Sequence, residues 1–336
     1  MNDQRSAVEP AAAAVAVPEA VTAVDGAPEA PTGGAHGPGS GLPTGRGAAL
    51  VPVALVVGGV VSVQFGSAVA ALLMPRAGAF GVVTLRLLVA AVVLLAVCRP
   101  KVRGYTRADW GTVVAFGVAM GAMNNLFYQA LDRIPLGIAV TLEVLGPLAL
   151  SVIASRRLIN FLWAGLALVG VGLLGGAGGF GRLDLLGAGL AVAAGVMWAL
   201  YIVFSSRTGR RFPKADGLAL AMAVAAVLSL PLGIAESGTK LAVPTTVLLG
   251  AAVALLSSVL PYTLEMMALR RLPASTFAVM MSLEPAIASL AGFLILDQAL
   301  STTDALAIAL VIGASVGAVR GQGRGGSARK RKRREA

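Results

Sequence analysis

Arg86, Glu143, Glu265 and Glu284 lie within long apolar stretches of this chain. A charge at such a position is costly in hydrocarbon and normally faces a cavity, a ligand or a partner of opposite sign. Arg86 and Glu143 each lie seven residues from the start of their apolar segments, and Asn124 and Asn125 six or seven from the end of theirs, boundaries that all fall on the expected external side. At about 1.5 Å per helical residue, all four fall in one layer roughly 10 Å deep. A guanidinium, a carboxylate and two amides in one layer suit a small zwitterion, with Arg86 taking a carboxylate and Glu143 an ammonium. The competing reading is an Arg86–Glu143 ion pair that holds helices together, and a substrate that displaces such a pair reconciles the two.

Glu143 has a second attraction. Gly146-Pro147 follows within one turn, and a proline mid-helix removes a backbone hydrogen bond and kinks the helix, freeing carbonyls beside the carboxylate. A carboxylate in an apolar cavity holds a proton more readily than one in water. Glu143, and Glu284 next to Pro285 in the corresponding stretch of the second half, are therefore the candidates for proton coupling. Gln64, Tyr128, Trp198 and Tyr262 are candidate cavity-lining residues, whereas Tyr201 suits an interfacial anchor. Glu265 lies close enough to the end of its segment to reach the interface along its own stem. Gly176–Gly181 matches a dinucleotide fingerprint by letters, but no strand precedes it, so a loop between apolar segments is expected. One cysteine and one histidine leave no basis for a metal site, no cofactor is expected, and no nucleophile–base pair suggests an enzyme.

The elements that must position these groups are membrane helices. Of 336 residues, 57% are hydrophobic and 13% charged, about half the charge of a soluble protein, and the mean hydropathy is +0.83. Residues 1–47 are rich in Ala, Pro and Gly without apolar periodicity, and are expected to be a disordered tail. Ten apolar segments follow, at about 51–74, 79–98, 111–131, 136–154, 161–177, 184–204, 217–235, 246–269, 274–296 and 304–319. The fold class expected is all-α and polytopic.

Ala130-Leu131-Asp132-Arg133-Ile134-Pro135 recurs 138 residues later as Ala268-Leu269-Arg270-Arg271-Leu272-Pro273, a register that also carries Pro147 onto Pro285. Five spans per repeat is an odd number, so the halves, 48–177 and 178–319, are expected to be inverted around a site at mid-depth. Of the 27 Lys and Arg, 22 fall on the side of the two tails, four on the opposite side, and Arg86 within a span. That bias puts both termini in the cytoplasm, with residues 320–336 a basic tail suited to anionic lipid. The net charge of +11 does not indicate nucleic-acid binding, since no soluble domain accompanies it.

The ten segments, the inverted halves and Leu283-Glu284-Pro285-Ala286 resemble the EamA family of the drug/metabolite transporter superfamily over about residues 50–319. The runs Asn124–Leu131 and Arg133–Leu148 are similar to its threonine/homoserine exporter group. The resemblance implies inner-membrane export of small neutral amino acids, driven by proton exchange. The alternative within the superfamily is export of a cationic or amphiphilic drug or metabolite, with Glu143 and Glu284 as cation partners and Arg86 structural. The sequence gives no oligomeric state.

Overall fold

The computed structural model describes residues 46–155, 158–176, 184–213, 215–269 and 279–334. The expected tail up to residue 45, the loop 177–183 and the second copy of the repeated hexapeptide from Arg270 onward lie outside the described residues. Among the described residues the chain is all helix and turn, with no strand. The helices are α1 (Arg46–Cys98), α2 (Arg107–Leu131), α3 (Leu136–Glu143), α4 (Leu145–Ser155), α5 (Leu158–Gly176), α6 (Leu185–Gly209), α7 (Asp216–Ser237), α8 (Pro244–Ala254), α9 (Leu260–Leu269), α10 (Glu284–Leu296) and α11 (Thr302–Arg334). Four described stretches, Val51–Cys98, Leu185–Gly209, Asp216–Ala242 and Val279–Leu296, are long and apolar enough to cross a membrane.

The first two expected segments form one helical run, α1, turned at Gly78. Gly78 has φ 65°, a conformation in which a side chain is strained, and a Cβ there would also run into the Glu236 carboxylate. That carboxylate accepts hydrogen bonds from the amides of Phe80 (2.7 Å) and Gly81 (3.2 Å). These are the amides left without helical partners where the second arm begins. Ser237 Oγ donates to the Ala77 carbonyl on the other side of the turn. Gly66 on the first arm and Arg86 on the second both meet residues 256–258, so the arms lie side by side.

α2 packs along α6 and α7, α1 along α7 to α10, α3 against α10, and α5 against α11. The main buried cluster draws on α1, α2, α6 and α7 through Val82, Phe116, Tyr128, Ala194 and Met222. α2 and α6 run antiparallel, with an ion pair at each end: Arg211–Asp109 (3.6 Å) at one and Arg133–Asp184 (3.3 Å) at the other. Thr106 and Asp109 close a capping box on α2. The Thr106 amide, then its hydroxyl, hold the Asp109 carboxyl below the usual carboxylate range. Asp184 caps α6 at the Gly187 amide (2.9 Å), and that bond, with help from Arg133, likewise keeps its carboxyl low.

Three features depart from the reading of the sequence. The fourth apolar segment is two helices, broken at Val144 between α3 and α4. The ninth is broken at Ser282–Leu283, and residue 282 is residue 144 plus the 138-residue repeat. Pro147 and Pro285 each follow their break by two or three residues, where the missing N–H ends the ladder. The tenth segment does not stop at 319: α11 continues to Arg334, so most of the expected basic tail is helical. No proline interrupts it.

Candidate functional site

Arg86 projects from the second arm of α1 and is half-buried. Its Nη1 donates to Tyr128 Oη (2.9 Å), its Nη2 to the Ser257 carbonyl (3.0 Å) and its Nε to Ser258 Oγ (3.3 Å). The guanidinium carbon also lies 5.6 Å from the centre of the Tyr128 ring. All three acceptors are neutral groups. They come from both halves of the sequence, Tyr128 from α2 and the two serines from the turn between α8 and α9.

Glu143 is the last residue of α3. The Arg86–Glu143 ion pair of the competing reading is not formed: the two ion pairs within 4 Å among the described residues are those at the ends of α2 and α6. Arg86 acts on Glu143 only through space. The carboxylate is half-buried and accepts no hydrogen bond from the described residues. Arg86 is held instead by Tyr128 and the two serines.

The backbone at Glu143 is shaped by its neighbours. Pro147 has no N–H for the Glu143 carbonyl, and α6 approaches that carbonyl at Gly195, where a Cβ would overlap it. A Cβ on Gly146 would in turn overlap the Gly195 carbonyl. Gly195→Ala is therefore expected to lower stability by about 1–3 kcal/mol through overpacking. A thermal melt of the purified protein in detergent checks this, and an unchanged melt contradicts the contact.

The remaining candidates divide. Asn124 and Asn125 are buried beside one another, yet neither contacts Arg86. Asn124 Nδ2 donates back to the Met120 carbonyl (2.9 Å). Asn125 Nδ2 donates to the Gly121 carbonyl (2.7 Å) and to Ser229 Oγ on α7 (2.8 Å), which leaves its Oδ1 buried without a partner. Thr84, two residues before Arg86, donates to the Ser229 carbonyl (2.8 Å), so α1, α2 and α7 are tied in the layer next to the cation. It is Tyr128, one turn along from Asn124, that reaches Arg86. Gln64 is 3% exposed, with its Oε1 also unpartnered. Trp198 is half-buried on α6 and packs on the main cluster. Glu284 is buried in the first turn of α10, where the helix dipole favours a carboxylate. Tyr201 is not an interfacial anchor but a core residue, its ring 5.0 Å from that of Phe116. Tyr262 and Glu265 lie on α9, and their side chains fall outside the described set.

Reasoning from sequence missed Ser229, Ser257 and Ser258, as well as Glu236 and Gln298. Gln298 Oε1 accepts from the Leu136 amide (3.0 Å) and so caps α3 from the far end of α10. One signal was legible for the serines: Pro261 stands four residues after Ser257 and cannot supply the amide that its carbonyl requires. No local pattern marks Glu236 or Gln298, whose partners lie about 155 and 162 residues away.

Known proteins resemble this chain in sequence and in fold. The model of the EamA-like transporter family matches residues 185–320. The threonine/homoserine exporter RhtA of Escherichia coli (strain K12) is 38% identical over 268 residues, covering 80% of this chain and 90% of that protein. The protein of the same name from Salmonella typhimurium (strain LT2) is equally similar, at 38% identity over the same coverage. A crystal structure 22% identical in sequence superposes with a TM-score of 0.55 over 83% of this chain and 98% of its own, and shows the same fold. With relatives this similar across four-fifths of its length, the chain belongs to the EamA-like transporter family.

Proposed function

We propose that this protein is a secondary-active exporter of small neutral amino acids, of the threonine and homoserine kind, that exchanges its substrate for protons across the inner membrane. The observation that carries the reading is the pair of opposite charges left open in one site. Arg86 is held by neutral groups, and Glu143, within its electrostatic reach, accepts no hydrogen bond from the described residues. A guanidinium that keeps its charge suits a substrate carboxylate, and an open carboxylate suits an ammonium. The amino-acid export named for the RhtA relatives agrees with that chemistry.

Coupling follows from one group with two mutually exclusive occupants. Glu143 holds either a proton or the ammonium of the substrate. Each occupant therefore expels the other, which is the linkage that exchange requires. Alternating access would rock the inverted halves, 48–177 and 178–319, about this layer, with the breaks at Val144 and Ser282–Leu283 as flexing points. In this reading both termini are cytoplasmic, ten spans cross the bilayer, and the basic end of α11 meets anionic lipid headgroups.

The test is counterflow in proteoliposomes preloaded with unlabelled L-threonine. Labelled threonine and homoserine are expected to accumulate transiently against lysine and choline controls. Accumulation of the cations alone would replace this reading with cation export.

A further inference from the structure

Between α8 and α9 the helix passes through a single π-turn, Leu255–Val259, in which the Leu260 amide bonds back to the Leu255 carbonyl. In an α-helix that amide would serve Leu256, so the Leu256 carbonyl is released. The next carbonyl, that of Ser257, looks for the amide of residue 261, which is Pro261 and has none. Two adjacent acceptors are thus freed in apolar surroundings, where an unmet acceptor is costly. Both are taken up by α1. Ser62 Oγ donates to the Leu256 carbonyl (2.5 Å), and Arg86 Nη2 to the Ser257 carbonyl. The Ser257 hydroxyl does not compete, since it donates to the Val253 carbonyl (2.6 Å). The close approach depends on Gly66, where a Cβ would sit 3.0 Å from Ser257 Cβ and 3.1 Å from its amide nitrogen.

We propose that Pro261 and Ser258 are positioning residues for Arg86, and that the π-turn they belong to orients the guanidinium for a substrate carboxylate. A guanidinium has five N–H groups. Tyr128, Ser257 and Ser258 take one from each of its three nitrogens, leaving two, the number that a bidentate carboxylate needs. A planar cation fixed through all three nitrogens cannot rotate to follow a displaced ligand, so the turn sets where the carboxylate must lie. This inference rests on Arg86 being the carboxylate-binding group of an amino-acid transporter.

The experiment compares wild type, Pro261→Ala, Ser258→Ala and Ser258→Thr in proteoliposomes. It measures KM for L-threonine and competition by L-threonine methyl ester, which lacks the carboxylate charge. Alanine at 261 supplies the missing amide, which recaptures the Ser257 carbonyl and restores the α-register. The Pro261→Ala protein is therefore expected to melt no lower than wild type. Its KM for threonine is nevertheless expected to rise about tenfold, as for a lost hydrogen bond to a charged group, with ester competition unchanged. Ser258→Ala is expected to shift the same way and Ser258→Thr, which keeps the hydroxyl, to stay at the wild-type value. A wild-type KM in well-folded Pro261→Ala overturns the proposal, as does equal weakening of acid and ester. If Pro261→Ala does not fold, the two Ser258 variants decide, and Ser258→Thr as impaired as Ser258→Ala contradicts the role of the hydroxyl. Failure of the underlying reading looks different: folded wild type then moves no amino acid, and every variant is silent with it.

Discussion

Glu143→Gln is expected to leave a folded protein whose threonine accumulation under a pH gradient falls about hundredfold. The amide keeps the size of the carboxylate but can neither take a proton nor meet an ammonium. The magnitude follows from losing one partner of a desolvated charge pair. Folding is expected to survive because no described group hydrogen-bonds to the Glu143 side chain, so no cap or helix contact goes with it. Packing at this position belongs to its backbone, where Gly195 and Pro147 act. Elution and melting like wild type, with gradient-driven uptake gone, is the outcome to look for. Full pH-dependent transport by the variant would remove Glu143 from coupling.

Arg86→Ala has the second large effect. Threonine binding is expected to weaken about hundredfold, while competition by threonine methyl ester changes only a few-fold, because only the free acid presents a full charge to the guanidinium. Arg86→Lys is expected to recover only part of the loss. An ammonium keeps the charge but lacks the planar fork that binds Tyr128, Ser257 and Ser258 together. Equal losses for acid and ester would assign Arg86 to holding α1, α2 and the π-turn together and not to recognition.

The comparison of these two residues shows what a single sequence reveals. Charges inside apolar segments stand out because hydrocarbon tolerates them so poorly, and that is how Arg86, Glu143 and Glu284 were found. Prolines within those segments mark where carbonyls lose their amides, and the breaks at Val144 and Ser282–Leu283 lie where Pro147 and Pro285 put them. Partners were less legible. Depth along a helix set Arg86, Asn124, Asn125 and Glu143 in one layer, but depth says nothing about azimuth. Around the helix axis Tyr128 faces Arg86, while Asn125 faces Ser229 on α7. A serine in an apolar run is common enough to carry no signal, so Ser258 gained meaning only once the π-turn brought it to the guanidinium. Glu236 falls just past the seventh apolar segment with no local pattern to mark it, yet it caps the second arm of α1. Such caps join residues far apart in the chain, and local periodicity does not record them. That the basic tail, 320–336, continues a helix was not legible for another reason. Its glycines and charges lack an apolar face, yet the helix of α11 propagates through them to Arg334.

The central claim is that threonine and a proton exchange at Glu143 beside Arg86. The most direct measurement follows lumenal pH in proteoliposomes carrying a trapped pH reporter while L-threonine is added outside, with labelled threonine uptake recorded in parallel. Wild type is predicted to alkalinise the lumen saturably as threonine enters and protons leave, and Glu143→Gln to give no proton signal. Threonine entry without proton movement in wild type, or a wild-type proton signal from Glu143→Gln, would contradict the account.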